Sequence, residues 1–84
     1  MINAPVVPSE VDAEIALLGC IFLDQNLIFQ VSDLMSPDDF YDNKNRVLYR
    51  AMVDLSKENK AIDATTVIAR LTKINLFDQA GGFD

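Results

Sequence analysis

Residues 43–59 read NKNRVLYRAMVDLSKEN, and this stretch decides the fold. Val47, Leu48, Ala51, Met52 and Leu55 recur at intervals of three and four, the period of one face of an α-helix. The spacing predicts the longest helix of the chain over about 44–59, opened by Asn43. Lys57 falls near its C-terminal end, where a cation suits the helix dipole. Lys44, Arg46, Arg50 and Lys57 lie along this helix with Asp54 and Glu58 interleaved. Pairs one turn apart, such as Arg50–Asp54, are therefore expected in place of a phosphate-binding stripe.

Downstream, Asp63 is expected to cap a helix over 64–73, with Val67, Ile68, Leu71 and Ile74 facing inward and Asn75 as a left-handed C-cap. The loop 60–62 joins two helices and is expected to be exposed. Lys60, Ala61, Ile62 and Asp63 are accordingly the candidate contact for a protein partner. Upstream, Ser36-Pro37-Asp38-Asp39 is a strong local signal: Ser36 caps, Pro37 takes the first helical position, and two acids complete the turn. Phe40 and Tyr41 end this element as core anchors. Leu27, Ile28, Val31, Leu34 and Met35 form another amphipathic set after a break at 23–26.

Ser9 reads as the N-cap of a helix over 10–22, with Glu10 and Asp12 in its first turn. Val11, Ile15, Leu18 and Phe22 make its apolar stripe, widened by Leu17 and Ile21. Gly19 inside it costs roughly 1 kcal/mol against Ala, which predicts close approach of a neighbouring helix. Residues 1–8, with Pro5 and Pro8, read as a flexible arm. Gly81 and Gly82 loosen the other end, where Phe77 and Phe83 are candidates for weak self-association. The expectation is one all-α domain over 9–84, a compact orthogonal bundle of about five to six short helices. Its core would be set by Leu18, Phe40, Leu48, Met52, Val67 and Leu71.

Composition narrows the function. With 84 residues, half of them apolar, the chain suits one globular domain. Thirteen acids against 7 bases leave a net charge of −6, a poor endowment for gripping phosphates. The absence of His removes the commonest general base and imidazole ligand. One cysteine precludes an internal disulfide, and Cys20, among apolar neighbours, is expected to be a buried small hydrophobe. Asp38, Asp39 and Asp42 read as caps and solvated charges, not a metal site. The 3 glycines do not form a phosphate loop. The apolar run 15–23 is too short to span a membrane, and acids precede it where a secretory signal would carry cations. The chain is therefore expected to be cytoplasmic, without catalytic site, cofactor or metal of its own, binding neither nucleic acid nor membrane, and acting on other proteins.

The order of motifs points further. Pro8-Ser9 with Glu14, Leu17-Leu18-Gly19, Leu23-Asp24-Gln25-Asn26, Ser36-Pro37-Asp38-Asp39-Phe40-Tyr41, Arg46 with Ala51-Met52 and Leu55, Ile62-Asp63 with Thr66-Val67, and Leu76 with Gly81-Gly82-Phe83 follow one another. This series resembles the N-terminal domain of DnaB-type replicative DNA helicases. It departs from the family pattern at Val11-Asp12-Ala13-Glu14, where many members have Glu-Ala-Glu, and at Asn45-Arg46, where many have His-Arg. Both read as tolerated surface changes. The resemblance implies a ring-shaped hexamer that unwinds duplex DNA, with ATP and Mg held in a separate RecA-like motor domain. The N-terminal domain would form part of a collar, contacting other helicase subunits, primase and a helicase loader. The alternatives are the helicase-binding adaptor domain of a bacterial primase, or a free-standing phage or plasmid replication regulator. Phe40-Tyr41 and Gly81-Gly82-Phe83 favour the helicase.

Overall fold

Tyr49 is wholly buried in the middle of the longest helix, which makes that helix the centre of the molecule. The computed structural model describes residues 10–73. They form α1 (Glu10–Leu23), α2 (Leu27–Leu34), a 3-10 turn (Pro37–Asp39), α3 (Asn43–Lys57) and α4 (Ala64–Lys73). The described residues are thus all helical, with four α-helices and one 3-10 turn where about five to six helices were expected. α1, α2, α4 and the 3-10 turn all pack on α3.

α3 buries more than one stripe. Val47, Ala51, Met52 and Leu55 are inside as predicted, while Leu48 is half-buried at the edge of the core. On the side the periodicity passed over, the Tyr49 ring stacks on Phe40 with centroids 4.6 Å apart. Its hydroxyl donates to the Met35 carbonyl at 2.8 Å, so the one polar atom of the ring is satisfied. Asp42, not Asn43, caps the helix, accepting the Asn45 N–H at 3.1 Å. The far end closes as a Schellman motif. Asn59 takes φ 58°, Asn59 N–H donates to Ser56 O, and Lys60 N–H donates to Leu55 O. Asn tolerates the left-handed region better than most residues, so the helix stops at Lys57, short of the predicted end.

α4 matches its prediction. Asp63 Oδ1 accepts the Thr66 N–H at 2.9 Å, and Thr66 Oγ1 accepts the Asp63 N–H at 2.9 Å, a reciprocal cap. Val67 and Leu71 are buried and Ile68 is half-buried. Ser36 N–H likewise donates to Asp39 Oδ2 at 2.8 Å and opens the 3-10 turn. Phe40 is a core anchor, but Tyr41 is 72% exposed, contrary to expectation. Its backbone, not its ring, is engaged: Tyr41 N–H donates to Glu14.

α1 is turned from its expected orientation. The buried stripe is Glu14, Leu18 and Ile21, and Ile15 is 54% exposed. A helix apolar nearly all round leaves periodicity no contrast with which to choose a face. The Gly19 expectation fails, since a Cβ there would meet nothing within 4 Å. Cys20 is exposed, not buried. The predicted arm 1–8, the cap Ser9, and Ile74, Asn75, Phe77, Gly81, Gly82 and Phe83 lie outside the described residues.

Candidate functional site

The turn at Asn59 directs the chain away from α3, and Lys60 and Ala61 are exposed. Ile62 then turns inward and is 4% exposed, which corrects its expected exposure. Its N–H donates to the side-chain oxygen of Gln25 at 2.8 Å. The loop is thereby fastened to the segment that starts α2. Between loop and helix lies a cleft of about 340 Å³, with buried Ile28 and Ile62 at its base and Phe29, Ser56 and Lys60 among its walls. A second cleft of about 400 Å³ lies across Phe29, lined by Met35, Pro37, Val53 and Lys57 among others. Phe29 and Ser56 belong to both, and Phe29 is 58% exposed.

Three of the four predicted contact residues, Lys60, Ala61 and Ile62, line the first cleft, whereas Asp63 is occupied in capping α4. Phe29 was not anticipated. The signal was present, because it lies off the predicted set Leu27, Ile28, Val31, Leu34 and Met35, of which Leu34 is itself 83% exposed. Gln25 carried no signal beyond its place in a break.

Charge is unevenly spread here. Among the described residues no carboxylate lines either cleft, although the chain has 13 acids. Lys57 and Lys60 border them, and a smaller cleft of about 180 Å³ beyond the loop is lined by Lys60, Arg70 and Lys73. Glu58 binds Arg70 and, at 3.1 Å, Lys60. Hydrogen bonds from Arg70 and then Lys60 hold its carboxyl down at about 2, so it stays ionised and offsets part of the local positive charge. Arg50 pairs with Asp38 at 3.7 Å across the fold, in place of the expected Asp54.

A second polar cluster is structural. Glu14 is buried and accepts from Tyr41 N–H, from Asp42 N–H at 3.2 Å and from Asn45 Nδ2 at 3.1 Å. Burial pushes its pKa up. The hydrogen bonds from Tyr41, Asn45 and Asp42, with the Arg46 charge, outweigh that, and it lies below the ordinary carboxylate value. A carboxylate so engaged is a clamp between α1 and the start of α3, not a poised acid or base. Asn45 is buried, so the reading of that position as a surface change fails. Sequence spacing held a clue, since Glu14 stands in register with Leu18 and Ile21. Burial also raises the Tyr49 pKa, with the Asp39 charge adding to it.

Among the described residues no three metal-ligating side chains converge, and no helix is long and apolar enough to cross a membrane. Residues 6–84 match the family model described as DnaB-like helicase N terminal domain. The chain belongs to the DnaB-like helicase N-terminal domain family. The replicative DNA helicase DnaC of Bacillus subtilis (strain 168) is 33% identical over 98% of this chain and 18% of its own length. The replicative DNA helicase DnaB of Geobacillus stearothermophilus is 30% identical over 92% of this chain and 17% of its own length. That of Nostoc sp. (strain PCC 7120) is 35% identical over 89% of this chain and 8% of its own length. The chain thus spans less than a fifth of these relatives. The motif series from Pro8 to Phe83 had pointed to this family.

Proposed function

We propose that this domain is a protein-docking module of a replicative DNA helicase: part of the collar of its ring, and the surface on which primase and a helicase loader are received. Duplex unwinding, ATP and Mg belong on this reading to a motor domain of the parent protein, working in the cytoplasm. The observation that carries the proposal is the DnaB-like match over residues 6–84, joined to a fastened pair of clefts that share an exposed aromatic ring and are lined by no carboxylate among the described residues. A rigid, partly apolar concavity suits protein recognition. Lys60 and Ala61 are the proposed rim contacts, and Phe77 and Phe83 are proposed for weak contact between subunits. The net charge of −6 opposes DNA binding by the domain itself.

The test is competition. The chain added in excess to parent helicase and cognate primase should lower helicase-stimulated primer synthesis in proportion to its concentration. Primer synthesis indifferent to a large excess of the chain would contradict the docking role.

A further inference from the structure

We infer that the two clefts astride Phe29 take an acidic amphipathic helix from a partner protein, its apolar side chains on either side of the Phe29 ring and its carboxylates over Lys57 and Lys60. The inference rests on the docking reading and adds the chemistry of the partner.

Shape comes first. Phe29 is exposed and lines both clefts, of about 340 and 400 Å³, and buried Ile28 and Ile62 line the first. Side chains one helical turn apart have Cβ atoms about 5–6 Å apart, and two Leu tips that diverge to about 7–8 Å can pack on the two faces of one ring. A single amphipathic helix can therefore fill both clefts at once. The walls are already set, because Gln25 holds Ile62 and the Schellman turn holds Lys60, so little ordering is left to binding.

Charge selects the occupant. Lys57 forms no ion pair among the described residues, and Lys60 shares one exposed partner, Glu58, with Arg70. Lys60 borders the first cleft and Lys57 the second, while Arg70 and Lys73 line the smaller cleft beyond the loop. The molecule as a whole carries −6, so an acidic segment is repelled elsewhere and accepted here. A single-stranded nucleic acid could also stack on an exposed ring beside lysines. The long-range field opposes that polyanion more strongly than a short acidic helix, and only the helix also brings apolar side chains to Ile28, Ile62, Met35 and Val53.

The experiment measures fluorescence anisotropy of the full chain with a short labelled helical peptide bearing two Leu one turn apart and Glu on both flanks. The controls are the same peptide with Lys for every Glu, and a labelled oligothymidine. The acidic peptide should bind with Kd on the order of 10–100 µM and weaken with added salt. Phe29→Ala, and separately Lys57→Glu with Lys60→Glu, should each weaken it about tenfold or more at an unchanged melting temperature. Equal binding of the lysine peptide, or unchanged affinity in Phe29→Ala, overturns the inference. So does oligothymidine binding that matches the acidic peptide and is lost with Phe29. Cognate primase separates the two readings. Primase that binds wild type and both variants alike overturns the inference and leaves the docking role standing. Acidic-peptide binding that depends on Phe29, without primase binding, leaves the inference standing and removes primase as the occupant.

Discussion

The side-chain amide of Asn45 on α3 donates to the buried carboxylate of Glu14 on α1 at 3.1 Å. With the N–H groups of Tyr41 and Asp42 on the same carboxylate, the pair ties the first helix to the start of the central one.

Acid should release this clamp. The folded-state pKa of Glu14 lies below its ordinary value of 4.5. Its contribution is therefore fully present above the unfolded pKa and is lost as pH falls through the lower folded value. Glu58 acts with the same sign but is exposed, so high salt should screen its share while sparing that of Glu14. In high salt the urea midpoint should be flat from about pH 7 to about pH 5, then fall. Glu14→Gln puts an amide donor where only acceptors fit and should cost about 1–3 kcal/mol at neutral pH, with a shallower acid limb. A variant as stable as wild type at neutral pH would disprove the clamp.

The loop that borders the first cleft should depend on Gln25. Gln25→Ala leaves the Ile62 N–H without its partner and should cost about 1 kcal/mol. Hydrogen exchange at the Ile62 amide should accelerate with little change in α4. An unchanged exchange rate would mean that the Schellman turn alone sets the loop.

Two leucines should separate the core from its edge. Leu71 is buried, and Leu71→Ala should cost about 2–5 kcal/mol. Leu48 is only half-buried, so Leu48→Ala should lower the melting temperature by clearly less. Equal losses would place Leu48 deeper than the fold does.

Asp63→Ala should cost about 1 kcal/mol, because Thr66 N–H loses its acceptor. Asp63→Asn keeps a cap and should recover most of that in thermal melts. If Asn fails to recover it, charge at the helix start matters more than the hydrogen bond.

These residues also mark how far the sequence was legible. α4 and its Asp63 cap could be read because periodicity and capping are local. The Val47, Ala51, Met52, Leu55 face of α3 was readable for the same reason. Tyr49, Asn45 and Glu14 were not, because a buried polar group depends on partners distant in the chain: Glu14 meets Asn45 31 positions away. The orientation of α1 was hidden by its apolar residues on every side, which misplaced Ile15 and Cys20. The loop contact was half legible. Lys60 and Ala61 are exposed as expected, but Ile62 is drawn inward by Gln25, a bond no local pattern announces.

The most direct test of the docking account is titration calorimetry of cognate primase against the chain and against Phe29→Ala. Phe29 is 58% exposed, so its loss should leave folding intact. The account predicts saturable binding by wild type and at least about tenfold weaker binding by the variant, with both melting alike. No heat of binding with wild type would contradict it, and the same affinity with and without the Phe29 ring would take the docking surface away from the clefts.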